Sequence, residues 1–269
     1  MQLTEQKGQS LPRLVEIMQR LLSPTGCPWD REQTLATLRP YVVEEAHEVV
    51  DAIDSGSPSE LREELGDLLL QIVFQSELAR AAGWFGPDDV VDAICTKLVR
   101  RHPHVFGDAV VRDSSEVLAN WEVIKAEEKR GRGVLEGVPK ALPALLRALR
   151  IGEKAARVGF DWPDRAGARA KVTEELAELD EALARGDRDA AEHELGDVLF
   201  ALVSVARKSD IDPEAALRGT LDRFSQRVRA VEAAVAESGQ ELSALSAAEL
   251  DVLWEAAKAG GRDSDKSGG

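Results

Sequence analysis

Apolar residues recur every three or four positions along most of the chain, and this spacing predicts amphipathic helices. Residues 11–22 show the pattern most clearly. Elsewhere, a capping residue followed by a first-turn proline marks a helix start, as at Ser57-Pro58 and Asp212-Pro213. No stretch alternates apolar and polar residues between hairpin turns, so no sheet is expected. The pattern therefore predicts an all-α protein.

Glycine and proline interrupt the helical pattern and set the predicted boundaries. The predicted helices are 11–22, 35–54, 58–82, 87–101, 115–129, 144–157, 167–185, 188–208, 213–237 and 246–259. Residues 24–30 contain two prolines and are predicted as a loop. Pro40 is expected to interrupt the second helix near its start.

The helices fall into two series that we predict as separate domains. Residues 130–143 carry three glycines and two prolines and are predicted as a linker. The N-terminal domain then covers residues 11–129 and the C-terminal domain residues 144–259. The polar ends of the chain, residues 1–10 and 260–269, are expected to be disordered.

Both predicted domains contain the same acidic pattern, which indicates an internal duplication. The N-terminal copy has Glu44, Glu45, Glu48, Glu64 and Asp67. The C-terminal copy has Glu174, Glu175, Glu178, Glu194 and Asp197, each displaced by 130 residues. The glycines expected in the turns, Gly56 and Gly186, are displaced by the same number.

The acidic residues are spaced for a shared metal site. Residues three or four positions apart lie on one face of a helix, and the turn expected at Gly186-Asp187 folds the helix of Glu175 back beside that of Glu194. Carboxylates gathered among apolar side chains repel one another unless a cation binds. Mg²⁺ prefers oxygen ligands, so the pattern predicts a magnesium site. Glutamate-rich helices are more often solvated faces, but the repetition argues against that interpretation.

A di-iron site is the alternative metal centre. The segment from Glu44 to His47 has the Glu-x-x-His spacing of di-iron helical bundles. Ala177 stands where the second copy would need the histidine. Because the repeat does not retain the imidazole, His47 is interpreted as an ordinary surface or packing residue, and a di-iron oxidase is not expected.

Basic and tryptophan residues are repeated as well. The N-terminal set is Lys97, Arg101, Trp121 and Lys125, and the C-terminal set is Arg223, Arg227, Trp254 and Lys258. Such residues could neutralise a triphosphate and stack on a base, although a solvated face and core packing are their commoner roles. One cation is not repeated, since Lys171 corresponds to Tyr41 in the N-terminal copy. This difference would weaken triphosphate binding there.

Composition narrows the class of partner. The formal charge of −15 argues against a nucleic-acid polymer, because such a partner needs a basic face. The two cysteines lack a metal-ligand spacing, and no apolar run is long enough to cross a membrane. The sequence therefore predicts a soluble cytoplasmic protein that could still bind a small polyphosphate through bridging metal ions.

The acidic pattern, Glu-Glu-x-x-Glu followed by fifteen residues and Glu-x-x-Asp, resembles the signature of the MazG nucleoside triphosphate pyrophosphohydrolases. The resemblance extends to segments 26–30, 100–106 and 158–162, in the family's order. It implies cleavage of NTPs or dNTPs to NMP and pyrophosphate, with Mg²⁺ as cofactor and Mn²⁺ as a substitute. It also implies tandem helical domains whose four-helix-bundle cores are completed in a homodimer.

The resemblance implies roles for individual residues. Magnesium would be bound by Glu175, Glu178, Glu194 and Asp197. The nucleotide would contact Lys171, Glu174, Arg223, Arg227, Trp254 and Lys258. A metal-activated water would attack the α-phosphorus, with Glu174 and Glu175 as the catalytic residues and Glu174 either accepting the water's proton or serving as a ligand. The C-terminal site is expected to be the active one.

The alternative function is a non-catalytic helical module that dimerises and binds nucleotides or a protein partner. In such a module the acids would only supply solubilising charge, and the complete acid set of the C-terminal copy argues against it. No residue predicts which base or sugar is preferred.

Overall fold

The computed structural model describes residues 10–128 and 133–264. Over these residues it contains helices and no strand, which confirms the all-α prediction. None of the described helices is long and apolar enough to cross a membrane. The chain divides into two units, Met1–Arg130 and Gly131–Gly269, which we call unit 1 and unit 2.

Unit 1 is built on a helical hairpin. Its helices are α1 (Leu11–Leu22), α2 (Pro28–Glu32), α3 (Leu35–Ser55), α4 (Pro58–Ala81), α5 (Pro87–Arg101), α6 (Pro103–Phe106) and α7 (Ser114–Glu128). Helices α3 and α4 pack along their lengths, and α1 packs on α4. The core between them consists of Met18, Leu38, Val73 and Phe74, which are at most 3% exposed. Burying each such side chain stabilises the unit by about 1.5–3 kcal/mol.

Unit 2 is built on a second hairpin. Its helices are α8 (Ala144–Arg157), α9 (Arg165–Arg185), α10 (Arg188–Arg207), α11 (Pro213–Glu237) and α12 (Ala247–Ser264), with a 3₁₀ turn at Leu242–Ala244. Helices α9 and α10 pack along their lengths, while α11 contacts both α8 and α12. The buried face of α9 carries small side chains, Ala168, Val172 and Ala182. Small residues at a helix contact permit a short distance between the axes.

The two hairpin turns have the same construction. Gly56 and Gly186 each adopt a φ of 69°, a left-handed conformation that side chains other than glycine rarely adopt. The residues that follow, Ser57 and Asp187, each accept a hydrogen bond from a backbone N–H three residues on. These bonds satisfy groups that a helix start leaves unpaired. The turn therefore ends one helix and starts the next within two residues.

Two local predictions are wrong. Residues 24–30 are not wholly a loop, since α2 begins at Pro28. Proline is tolerated in the first turn because the N–H it lacks would have no helical partner. Pro40 does not interrupt α3, which continues through it. Burial of Leu38 and Ala52 on that helix outweighs the loss of one backbone hydrogen bond.

The predicted linker and the predicted disordered ends can be checked where the structure describes them. Residues 133–143 contain turns and no helix. Helix α12 continues to Ser264, beyond residue 260, where the predicted disordered tail begins. The disorder predicted for residues 1–9 and 265–269 falls outside the described residues.

Candidate metal and nucleotide site

The α9–α10 hairpin brings the predicted carboxylates of unit 2 together. Glu175, Glu194 and Asp197 each offer an oxygen, and these three oxygens lie within 4.8 Å of one another. Glu178 lies one turn further along α9 and shares a hydrogen bond with Glu175. Glu175 is only 5% exposed, so its charge is largely removed from water. Spacing along each helix and the glycine turn together produce this group, which we call the unit 2 carboxylate cluster.

Lys171 supplies the balancing charge of this cluster. Its Nζ lies 2.6 Å from an oxygen of Glu175 and 2.7 Å from an oxygen of Glu174. The hydrogen bond from Lys171 holds the pKa of Glu175 below its usual range despite burial. The bond to Glu175, burial and the nearby charge of Glu194 raise the pKa of Glu178. Of the two carboxylates, Glu175 is therefore the one whose ionised form is more strongly stabilised.

Unit 1 has the same geometry with a different electrostatic balance. Glu45, Glu64 and Asp67 also place three oxygens within 4.8 Å of one another. Tyr41, at the position of Lys171, brings no cation. Burial raises the pKa of Glu45, and the charges of Asp67 and Glu48 add to the rise. Glu44 and Glu48 are exposed on α3 and complete the predicted set.

The donor set of each cluster fits a magnesium ion. All the ligand atoms are carboxylate oxygens, the type that Mg²⁺ prefers. With Mg–O distances of about 2.1 Å, oxygens on opposite sides of one ion lie about 4.2 Å apart. Oxygens within 4.8 Å of one another can therefore become ligands of one ion after small side-chain movements. His47 is exposed and belongs to neither cluster, so the geometry does not favour a di-iron site.

The basic and aromatic residues of unit 2 form a second group, on α11 and α12. The Arg227 guanidinium lies 5.8 Å from the centre of the Trp254 ring, and the Phe224 ring lies 5.2 Å from it. Arg223 donates to a threonine hydroxyl one turn away, and Lys258 pairs with the glutamate three residues before it. An apolar cavity of about 480 Å³ opens between the two helices beside Trp254. In the described part of unit 2, no hydrogen bond or ion pair joins this group to the carboxylate cluster.

The corresponding residues of unit 1 are arranged on α5 and α7. The Arg101 guanidinium lies 5.8 Å from the centre of the Trp121 ring, the same distance as in unit 2. Lys125 places its Nζ 4.9 Å from that ring. Lys97 is exposed on α5. The duplication therefore extends to the stacking of an arginine on a tryptophan.

Sequence reasoning missed two features around the unit 2 cluster. His193 places Nε2 3.4 Å from Asp197, and its charge contributes to lowering the pKa of Glu175. The i,i+4 spacing of His193 and Asp197 on a helix could have indicated this pair. The second feature is Asp161, which pairs with both Arg207 and Lys208 at the end of α10. No sequence signal indicates that pairing, because 46 residues separate Asp161 from Arg207.

The fold and the site define a class: an all-α protein with two copies of a carboxylate-bearing helical hairpin. The sequence model of the MazG nucleotide pyrophosphohydrolase domain matches the chain twice, over residues 33–106 and 166–231. The chain belongs to this family, which confirms the family and the tandem arrangement that the acidic pattern predicts. Both matches include the carboxylate cluster of their unit.

Three relatives match more than nine-tenths of the chain. A nucleoside triphosphate pyrophosphohydrolase of Escherichia coli K12 is 44% identical over 254 residues, covering 92% of this chain and 97% of the relative. A Thermotoga maritima protein named nucleoside triphosphate pyrophosphohydrolase/pyrophosphatase MazG is 42% identical over 258 residues, covering 95% and 98%. A nucleoside triphosphate pyrophosphohydrolase of Mycolicibacterium smegmatis is 35% identical over 259 residues, covering 93% and 68%.

Proposed function

We propose that the chain is a Mg²⁺-dependent nucleoside triphosphate pyrophosphohydrolase that converts NTPs or dNTPs to NMP and pyrophosphate in unit 2. Family membership and the named relatives support the pyrophosphohydrolase activity. The placement in unit 2 depends on Lys171, whose Nζ lies 2.6 Å from Glu175 within the carboxylate cluster. Unit 1 has Tyr41 at that position and therefore lacks this cation for a phosphate.

The carboxylate cluster would hold the metal ion. Glu175, Glu194 and Asp197 are the ligands that the geometry favours, with Glu178 as the fourth. Mg²⁺, or Mn²⁺ in its place, supplies an activated water and withdraws charge from the phosphate oxygens. The low pKa of Glu175 keeps this ligand ionised at neutral pH, so metal binding does not have to displace a proton from it.

Glu174 is our candidate for the general base. It lies outside the three-carboxylate group, is exposed, and pairs with Lys171. When a triphosphate binds, Lys171 would exchange this pairing for a phosphate oxygen. The Glu174 carboxylate is then free to accept a proton from the attacking water. A ligand role for Glu174 is less favoured because Glu175, Glu194 and Asp197 already form a group without it.

The group on α11 and α12 would bind the rest of the nucleotide. Arg223, Arg227 and Lys258 supply three positive charges for the pyrophosphate that leaves. Trp254 borders the apolar cavity of about 480 Å³, where a base could stack on its ring. Apolar walls carry few groups that would distinguish one base from another, so we propose broad base tolerance.

A homodimer would complete the site. Leu195, Leu199 and Leu202 form an exposed stripe on α10, beside the helix positions that carry Glu194 and Asp197. The same stripe recurs on α4, at the positions displaced by 130 residues. Exposed apolar stripes of this kind are typical of helices that pack against another helix. A second copy would cover them, complete four-helix cores, and bring basic residues to the carboxylates.

We also propose a free nucleotide in the cytoplasm as the substrate. The formal charge of −15 favours a metal-bridged small nucleotide over a nucleic-acid polymer. A free nucleotide pool in the cytoplasm is the substrate source that this chemistry suits, and no contact with a membrane is proposed.

Product analysis with a panel of NTPs and dNTPs in the presence of Mg²⁺ tests the proposal. We expect NMP and pyrophosphate from the wild type and a loss of turnover by at least about a hundredfold in Glu175→Gln. Glu45→Gln is the matched control, because it removes the same charge at the equivalent position of unit 1. Metal affinity measured without nucleotide should fall in Glu175→Gln and stay unchanged in Glu174→Gln.

Three other outcomes would change the conclusion. Loss of turnover in both Glu175→Gln and Glu45→Gln would mean that the units are coupled or both active. Release of inorganic phosphate in place of pyrophosphate would contradict the position of attack. An absence of turnover for every nucleotide, with Mg²⁺ and with Mn²⁺, would favour the non-catalytic binding module.

A further inference from the structure

One carboxylate in unit 1 forms ion pairs with two arginines. Glu128, at the end of α7, lies 2.6 Å from Nη2 of Arg100. It also accepts two hydrogen bonds from Arg101. Arg101 Nε donates to one carboxylate oxygen across 3.2 Å, and Arg101 Nη2 donates to the other oxygen. The Arg101 and Glu128 side chains are only 14% and 19% exposed. The two bonds from Arg101 form the paired fork by which guanidinium groups bind carboxylates and phosphates.

The duplication shows that this contact is not a general part of the fold. Arg101 corresponds to Arg227, and each lies 5.8 Å from the centre of a tryptophan ring. The position of Arg100, however, is Gln226 in unit 2, and the position of Glu128 is Gly261. Unit 2 therefore lacks both the additional arginine and the carboxylate. The shared element is the arginine on tryptophan, and the carboxylate with its second arginine is an addition of unit 1.

We infer that Glu128 acts as an internal anion that occupies the phosphate-binding face of Arg101 and closes the basic group of unit 1 to triphosphates. This inference rests on the proposed function, because it takes the phosphate role of Arg227 as the model for Arg101. A bound phosphate would have to displace a carboxylate that already satisfies the fork of Arg101. It would also break both bonds from Arg101 and leave that mostly buried carboxylate with Arg100 as its remaining partner.

Glu128 keeps its charge over the physiological pH range. Its hydrogen bonds from Arg101, with the charges of both arginines, lower the pKa of Glu128 to about 2. Tyr41 stands where unit 2 has Lys171, so the carboxylate cluster of unit 1 lacks that cation as well. Two independent differences therefore act in the same direction, against a polyphosphate in unit 1.

Binding stoichiometry tests the inference. Inorganic tripolyphosphate with Mg²⁺ is titrated calorimetrically into the full chain as wild type, Glu128→Gln, Glu128→Ala and Glu116→Gln. We expect one equivalent per chain for the wild type and a second equivalent for both Glu128 variants, with affinity raised at least about tenfold at that site. Glu116→Gln is the matched control, since it removes the same charge from α7 at a more exposed ion pair, with Arg112. Adding Arg101→Gln to Glu128→Gln should remove the second equivalent again.

Each other result has a definite meaning. Binding of two equivalents of tripolyphosphate to the wild type, or of one equivalent to both Glu128 variants, would overturn the inference. Glu128 would then have only a structural role, as an ion pair between α5 and α7. Turnover of NTPs, measured on the same samples, reports separately on the proposed function. A normal turnover with no second equivalent would sink the inference alone, whereas a wild type that neither binds tripolyphosphate nor hydrolyses NTPs would sink both.

Discussion

Asp161→Asn should destabilise unit 2 because it removes the shared partner of two cations at the end of α10. Arg207 Nη1 donates to Asp161 across 3.2 Å, and Lys208 Nζ lies 2.6 Å from the same carboxylate. The three side chains are 14–19% exposed. Hydrogen bonds from Arg207 and Lys208 lower the pKa of Asp161 from an ordinary 3.8 to about 2. At about 1.4 kcal/mol per unit, the ionised carboxylate contributes about 2 kcal/mol at neutral pH.

The pKa of Asp161 is lower in the folded protein than in the unfolded chain, so its contribution to stability is lost at low pH. The contribution is complete above pH 3.8 and is lost as the pH falls through the folded value near 2. About half of it should remain at pH 3. The difference between wild type and Asp161→Asn should therefore be about 2 kcal/mol from pH 7 to pH 5 and about 1 kcal/mol at pH 3.

Hydrogen exchange of α10 peptides in increasing urea measures this free energy for unit 2 alone, since other peptides report on unit 1. Glu153→Gln is the matched control, because it breaks a more exposed ion pair with Arg150 in the same unit. Exposed pairs contribute at most about 1 kcal/mol. Equal destabilisation by both variants, or an Asp161→Asn effect that stays constant down to pH 3, would refute the reasoning.

Three further predictions concern the unit 2 hairpin and the nucleotide group. Lys171→Tyr should raise the pKa of Glu175, so turnover should fall and the acid limb of its pH profile should move to higher pH, whereas Tyr41→Lys in unit 1 should leave the profile in place. Gly186→Ala should cost about 1–2 kcal/mol in urea unfolding because its φ is 69°, and Gly186→Asn should cost less. Trp254→Ala should raise KM about tenfold with a smaller effect on kcat, as measured by steady-state kinetics; an unchanged KM would exclude base stacking there.

The sequence was sufficient for the features that depend on local spacing. Acids three positions apart and a glycine turn predict a carboxylate group on a hairpin, and the structure has Glu175, Glu194 and Asp197 together. The duplication made this inference possible, because repetition distinguishes a site from a solvated acidic face. Helix starts at capping residues with first-turn prolines were predictable for the same reason: the signals lie within four residues of one another.

Features that join distant segments were not predictable in this way. The contact between Glu128 and Arg101 spans 27 residues and involves no motif. At Pro40 the local signal itself was misleading. Proline predicts a helix break, but α3 continues through Pro40 because the helix packs in the core. The opposite pKa shifts of Glu45 and Glu175 also depend on tertiary placement, which sets burial and partners at once.

The two units show that the acidic motif alone does not determine the electrostatics of its carboxylates. Glu45 and Glu175 occupy equivalent positions in groups of the same geometry, yet burial and like charges raise the pKa of one, and Lys171 lowers that of the other. In the proposed reaction, Glu175 would hold the metal ion while Lys171, its partner in the free protein, would bind a phosphate oxygen. A carboxylate surrounded only by acids has no such cation, and its neighbours shift its pKa towards the protonated form. We therefore propose that the cation beside the cluster, outside the acidic motif, distinguishes the copy that acts on a triphosphate.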